Sequence, residues 1–392
     1  MKVSSIVLNN FTNDSRVEKQ AISLSQAGFD LTVFGLWKMG LKSHEVKAGY
    51  KIERIKLQTI SLRGRLGRLL KFIEYSFRVA WKIKNGVIIH CHDYHPLPAM
   101  ILAKLFFRSK SYVIYDAHEF ESQKLGLNKM SKFVIINLEK ISSRFIDGFI
   151  TVSGSILEMY NELFLKIPKT LILNCPIHQV LEDSNKFDTS LSLLKGSVKC
   201  LYQGAFIPYR GISELLDISN DLQFKDVNFI FMGYGGMSSA GQQLEEEIIE
   251  RSIKLKNVHF VPTVPREELL SYTSSASFGV CLTIDNCLNH RYSLPNKFFE
   301  YAMAGLPLLV SNLSELRTLV EKYECGVICE SVTPEGIKKG IIKLLSMDLE
   351  KLGANARKMA KENSWEVQEK KLLSLYHEVL NRPSKRITFN NS

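Results

Sequence analysis

Short apolar runs alternate with helix-period stretches along this chain, and the alternation stops and restarts near the middle. Runs at 4–8, 30–34, 87–91, 112–115 and 149–152 read as buried strands, with helical patterns at 16–26, 67–83, 96–107 and 138–145 between them. Such alternation predicts βαβ units and a mostly parallel sheet flanked by helices. A polar passage follows, through Asn174-Cys-Pro-Ile177 and residues 182–189. Strand patterns then resume at 198–203, 228–232, 258–261, 278–282, 307–310 and 326–329, again separated by helical segments. The expected fold class is α/β, with two doubly wound Rossmann-like domains facing each other across a cleft, where ligands bind at strand ends. The expected bounds are a first domain at 1–178, a linker at 179–197, a second domain at 198–363, and a returning C-terminal helix with a frayed polar tail at 364–392.

Size and composition agree with two domains. A chain of 392 residues is long for one core and suits two. It is 45% hydrophobic, and no apolar run approaches the ~20 residues of a membrane span. Its first eight residues are too short for a signal peptide and read as a strand. Seven scattered cysteines without a Cys-x-x-Cys pair point to a reducing compartment and away from structural zinc. The expected location is the cytoplasm, with possible attachment to the inner face of the cell membrane.

A formal charge of +11 calls for an anionic partner: nucleic acid, lipid head groups or phosphorylated small molecules. No nucleic-acid module is recognisable, so nucleic acid is not expected. Between residues 63 and 84, Arg63, Arg65, Arg68, Lys71, Arg78, Lys82 and Lys84 face a single acid, Glu74. There Leu66, Leu70, Ile73, Phe77, Ala80 and Trp81 recur at helical spacing, with Arg68, Lys71, Arg78 and Lys82 opposite. The pattern suits docking on an anionic membrane surface, or a core helix with a basic outer side.

The stretch Leu294-Pro-Asn-Lys-Phe-Phe-Glu-Tyr-Ala-Met-Ala-Gly-Leu-Pro307 predicts a helix that opens after Pro295 and stops at Gly305. It carries one acid, Glu300, whose carboxylate can accept two hydrogen bonds from a vicinal diol such as a ribose. The segment resembles the nucleotide-sugar site of family-4 retaining glycosyltransferases, which have the GT-B fold. Glu300, Ala302, Ala304, Gly305 and Pro307 are in register with that family's motif. Its usual first acid is Tyr292 here, so the chain resembles the subset with Ser-Leu-Pro-x-Lys.

The resemblance implies further roles. In Tyr202-Gln-Gly-Ala-Phe-Ile-Pro-Tyr-Arg-Gly211, Gly204 matches a family glycine and Arg210 the second of two cations on the donor pyrophosphate. Ala205 replaces the first, and Lys297 is placed in sequence to supply the missing charge. Gly233, in Met232-Gly-Tyr-Gly-Gly236, and Val264 match segments beside the nucleotide. His118, in Asp116-Ala-His-Glu119, matches a His beside the donor sugar, and Asp116 or Glu119 could orient it or bind acceptor hydroxyls. Asn13, Asp14 and Arg16 lead into the first helix and are possible donor or acceptor contacts; Asp14 or Ser15 could cap it, and Arg16 could bind phosphate oxygens. His90-Cys-His-Asp-Tyr-His95 has metal-like spacing, but the expectation is no metal, with His92 or Asp93 touching the acceptor.

The function so implied is transfer of a hexose or N-acetylhexosamine from a nucleoside diphosphate sugar, with UDP the favoured carrier. The product would be a glycan or lipid-linked glycan of the cell surface, made without cofactor or metal, with Arg210 and Lys297 stabilising the departing diphosphate and His118 serving catalysis. A nucleotide-sugar epimerase of the same fold and a silent membrane-docked scaffold are the rival expectations.

Overall fold

A computed structural model describes residues 1–180 and 184–383. Two compact units emerge: residues 1–173 with the chain from Gln368 onward, and Asn174–Val367. The expected joint residues 182 and 183 and the tail from 384 lie outside the described residues.

The first unit is built on eight strands: β1 Lys2–Ile6, β2 Asp30–Leu36, β3 His44–Lys47, β4 Tyr50–Ile55, β5 Ile88–His92, β6 Tyr112–Ala117, β7 Gly148–Thr151 and β8 Lys169–Leu171. They run in the order β3-β4-β2-β1-β5-β6-β7-β8, parallel throughout except for β3 against β4. The order reverses between β1 and β5, so the loops after these two strands flank the switch point where α/β sheets receive ligands. Helix α1 (Ser15–Gln26) carries the chain from β1 to β2, whereas α2 (Gly64–Ile83), α3 (Leu97–Leu105) and α4 (Lys129–Ser142) step in the opposite direction. Right-handed crossovers therefore put α2, α3 and α4 on one face of the sheet and α1 on the other. α2 packs beside α3, and α3 beside α4. The last helix, Trp365–Leu380, belongs to this unit from Gln368 on; Tyr376 packs against Phe29, and its hydroxyl lies 2.8 Å from His90 Nδ1.

The second unit is a six-stranded parallel sheet: β9 Val198–Ala205, β10 Val227–Tyr234, β11 Val258–Val261, β12 Phe278–Cys281, β13 Leu308–Ser311 and β14 Gly326–Cys329. Its order is β11-β10-β9-β12-β13-β14, and the switch point falls between β9 and β12. Both faces are covered, so the strands are largely apolar rather than alternating, with interruptions such as Lys199, Gln203 and Asn228. Tyr202, Phe229 and Phe231 pack with Leu215, Ile337 and Leu344 in its core. Each buried side chain of this kind stabilises the fold by about 1.5–3 kcal/mol.

Three expectations need correction. Within the expected linker at 179–197 the described residues include a helix at Lys186–Leu191 that buries Phe187 against Tyr272, and Asp188 pairs with Lys199 at 2.6 Å. The hairpin β3–β4 and the short β8 were missed, and α4 starts nine residues before its expected position at 138. In α2 the inward side is Tyr75, Val79, Ala80 and Ile83; of the predicted apolar stripe only Ala80 is buried, and the rest points outward.

Candidate functional site

Polar residues gather at the switch point of each sheet, and the two clusters differ in kind. In the second unit the loop after β9 carries Gly204 and Arg210, and the chain after β12 leads to the helix Asn296–Met303 with Lys297 and Glu300. These four line one cavity of about 440 Å³, together with Tyr202, Gln203 and Asn296. Pro295 caps the helix start, and a Schellman motif ends it: Gly305 N–H donates to Ala302 and Leu306 N–H to Tyr301. Gly305 has φ +76°, a left-handed conformation that an L side chain adopts only under strain, so glycine suits the stop. The stop expected from sequence thus has a specific backbone cause.

Glu300 Oε2 accepts a hydrogen bond of 2.6 Å from Gln203 Nε2. Gln203 is held in turn, since its Oε1 accepts from Thr273 Oγ1 at 2.7 Å and its N–H donates to Tyr301 Oη at 2.8 Å. Arg210 donates only to a neutral group among the described residues, Thr283 Oγ1 at 2.8 Å. Lys297 Nζ is buried without a hydrogen-bond partner and lies 3.5 Å from the centroid of the Tyr202 ring. Burial, reinforced by Arg210, lowers its pKa to about 7, against the opposing pull of Cys281 and Glu300. A buried ammonium set against an aromatic face, with no hydrogen-bond partner, favours an anion that can reach it.

Gly233 pairs with Gly204 across β10 and β9, and a Cβ on it would lie 1.9 Å from the Gly204 carbonyl oxygen. This glycine serves strand approach beside the cavity rather than lining it. Val264 occupies the turn after β11, and Tyr292 ends the short helix Leu288–Arg291. Neither is among the cavity's lining residues.

The cluster of the first unit is an ion-paired network. Arg16 grips Asp116 with two hydrogen bonds, Nε to Oδ2 at 3.1 Å and Nη2 to Oδ1 at 2.8 Å, and donates a third to the Ile172 carbonyl. Gln20 donates to the same carboxylate at 2.7 Å. Arg16 and Asp116 are both buried, so the expected phosphate contact of Arg16 is not where its charge is directed. Burial opposes ionisation of Asp116, yet Arg16 and His118 outweigh it and hold the carboxyl well below its usual range. His92 is buried too; its Nε2 is 2.9 Å from Ser5 Oγ, and its Nδ1 is 3.2 Å from His118 Nε2. Burial depresses the pKa of His92, whereas Asp93 and Asp116 overcome burial at His118 and raise its pKa. A neutral His92 accepting at Nδ1 from a protonated His118 satisfies both rings.

Asp93 has φ +62°, an uncommon conformation that turns its carboxylate back to accept from the His118 N–H at 3.1 Å. Behind it lies Glu121, a buried acid that the sequence reading overlooked, 2.8 Å from Lys124. Burial and the Asp93 carboxylate push Glu121 up to about 10, while Asp93 is held down at about 2. One proton shared between two acids explains the split. Glu119 is exposed and pairs with Lys124 at 3.0 Å. Asn13 is exposed, and Asp14 caps α1 by accepting from Val17 N–H at 3.2 Å. His90, His92 and Asp116 could bring donor atoms within 4.8 Å of one another, but the Arg16 guanidinium already holds the carboxylate a cation would need.

The sequence reading also passed over Gln203, although it directly precedes Gly204. Its signal was a polar side chain after the apolar run 200–202.

Comparison with known proteins agrees with both halves. Residues 16–174 match the family described as Glycosyltransferase Family 4, and residues 183–363 match Glycosyl transferases group 1. An uncharacterized glycosyltransferase of Methanocaldococcus jannaschii is 23% identical over 305 residues, 73% of this chain and 72% of the relative. A second from the same organism is 24% identical over 185 residues, and the match spans about half of each protein (46% and 48%). Among solved structures, sucrose-phosphate synthase from Thermosynechococcus elongatus superposes with a TM-score of 0.78 at 16% identity, covering 97% of this chain and 99% of that one. Anabaena HepE in complex with UDP-glucose gives 0.74 at 13% identity, covering 96% and 99%. These likenesses establish the fold: two Rossmann-like domains with parallel sheets, as in GT-B glycosyltransferases.

Proposed function

Starting from a chain that is a glycosyltransferase of the GT-B type, we propose that it is a metal-independent, retaining enzyme using a UDP-sugar. The observation that carries this reading is the unpartnered Lys297 ammonium in the cavity it shares with Arg210 and Glu300. A nucleoside diphosphate fits that arrangement: two cations for the diphosphate and a carboxylate for the ribose diol. The presence of UDP-glucose in the HepE structure favours uridine as the base.

In this reading the second unit holds the donor and the first presents the acceptor. As the bond between the anomeric carbon and the phosphate oxygen breaks, negative charge collects on the leaving diphosphate. Lys297 and Arg210 stabilise it there more than in the ground state, which lowers the barrier. The acceptor hydroxyl attacks from the face the diphosphate leaves and passes its proton to the departing phosphate oxygen, so configuration is retained without a protein nucleophile. His118, whose pKa Asp93 and Asp116 raise, is the first unit's residue assigned to catalysis. The transferred group is a hexose or N-acetylhexosamine. The acceptor is a hydroxyl of a glycan or lipid-linked glycan in cell-surface polysaccharide synthesis, made in the cytoplasm at the inner face of the membrane.

A thermal-shift and hydrolysis screen with nucleotide sugars tests the reading. UDP and one UDP-sugar raise Tm by mass action, and that sugar is slowly hydrolysed without acceptor. No shift with any nucleotide would refute it, and free epimerised nucleotide sugar would point to an epimerase instead.

A further inference from the structure

Exposed large apolar side chains gather on the helical layer α2–α3–α4 of the first unit. Along α2, Leu66, Leu69, Ile73, Phe77 and Trp81 form a stripe of period three to four, and Phe77 and Trp81 are 50% and 58% exposed. The helix has already met its packing need on another side, through Tyr75, Val79 and Ile83. The stripe continues past Trp81, whose ring meets Phe107 edge-on, to the 71% exposed Phe106 at the end of α3. On α4, Met130, Phe133, Val134 and Ile141 repeat the pattern at positions three, four and seven apart, again outward. Large apolar side chains concentrated on one helical layer mark an interaction surface rather than ordinary exposure.

Charge selects the occupant. Arg63, Arg65, Arg68 and Lys71 border the stripe at the start of α2, and none of them makes an ion pair among the described residues. Arg78 and Lys82, by contrast, are tied to Glu74 and Glu53, so the sequence-based choice of these two as lipid contacts is revised. Lys84 lies over the Trp81 ring, a cation held at the edge of the apolar surface. A second copy docking on this face through a twofold axis would bring like charges together. A phospholipid bilayer carrying anionic head groups answers both features, the apolar stripe entering the acyl boundary and the basic border meeting phosphates. No helix among the described residues is long and apolar enough to cross a membrane, so the contact is in-plane.

We propose that the outward face of α2, continued by the end of α3 and by α4, docks this protein in the interface of an anionic membrane. The proposal deepens the functional reading above and rests on it only in placing the glycan acceptor at a membrane. Its geometry stands on unit one alone.

The test pellets the full chain with vesicles of phosphatidylcholine alone or mixed with phosphatidylglycerol, alongside its UDP-induced thermal shift. The expected result is salt-sensitive binding to the mixed vesicles, with tryptophan emission that shifts to the blue and loses the shift in Trp81→Phe. Phe77→Ser/Trp81→Ser lowers binding at least tenfold, and Arg63→Ala/Arg65→Ala/Arg68→Ala/Lys71→Ala lowers it several hundredfold, at roughly fivefold per cation. Arg78→Ala, whose cation is already paired, changes it little. An unchanged UDP shift in all these variants shows that they fold. Equal binding to neutral vesicles, or no binding with the UDP shift intact, overturns the docking proposal and leaves the enzyme reading standing. A dimer in sedimentation that Phe77→Ser/Trp81→Ser dissociates would also overturn it, in favour of self-association.

Discussion

The two switch points of this molecule handle charge in opposite ways. In the first unit every charged group of the cluster faces a counter-charge: Arg16 faces Asp116, His118 lies between Asp93 and Asp116, and Lys124 bridges Glu119 and Glu121. In the second, Lys297 has no hydrogen-bond partner and Arg210 only a hydroxyl. The difference separates a cluster that stabilises its own fold from one that holds binding energy in reserve. Removing a member of the first should cost stability, and removing a member of the second should cost ligand.

The largest effect expected from that contrast is at Arg16. Arg16→Met removes the principal counter-charge of the buried Asp116 carboxylate, leaving His118 and Gln20 beside it, which costs about 3 kcal/mol. Thermal denaturation should show Tm falling by roughly 10 °C. A variant that melts like the parent would mean the network contributes nothing to stability.

Next in size is the reverse result at the second switch point. Lys297→Met removes an unpaired buried charge, so its Tm should hold or rise, while UDP affinity falls. Charge-assisted hydrogen bonds contribute about 1.5–3 kcal/mol each, so calorimetry should read a ten- to hundredfold weaker Kd for it and for Arg210→Ala. Equal loss of stability in both clusters would erase the contrast.

Acidity sharpens it further. Free Lys297 titrates at about 7, and a bound diphosphate favours its charged form, so its pKa rises on binding. Between the two values binding takes up a proton, and UDP affinity should weaken by about tenfold per pH unit above 7. Calorimetry in buffers of different ionisation enthalpy measures that uptake, and Lys297→Met should abolish it.

The smallest effect is spectroscopic. His118 is raised above its ordinary value of 6.5 by Asp93 and Asp116, against burial. Its contribution to stability is therefore full below that value and lost as pH rises through the folded-state value. Proton NMR of the imidazole should show the titration above 6.5, moved downward in Asp93→Asn.

Much of the fold was legible because its signals are local. Apolar strands such as Leu308–Ser311 and the stop at Gly305 need only their own residues and a backbone rule. The missed elements lack such signals. β4 reads Tyr-Lys-Ile-Glu-Arg-Ile, and its buried Arg54 is accommodated because backbone carbonyls of Asn10, Phe11 and Lys42 and the Glu45 carboxylate accept from it. The start of α4 was lost because Met130, Phe133 and Val134 face outward, so its first turns carry no core period. At the site, Glu300, Arg210, Lys297 and Gly204 were found from motif spacing and lie on one cavity. Arg16 was misread because its carboxylate partner lies a hundred residues away, and sequence cannot tell a paired guanidinium from an open one. Glu121 was missed for the same reason, since it acquires its character from Asp93 and Lys124 in space.

A crystal structure of the protein with UDP examines the central claim most directly. The account predicts Lys297 Nζ and the Arg210 guanidinium within about 2.7–3.2 Å of diphosphate oxygens, with Glu300 accepting from the ribose hydroxyls. A nucleotide bound with Lys297 still against the Tyr202 ring and Arg210 still on Thr283 would contradict it.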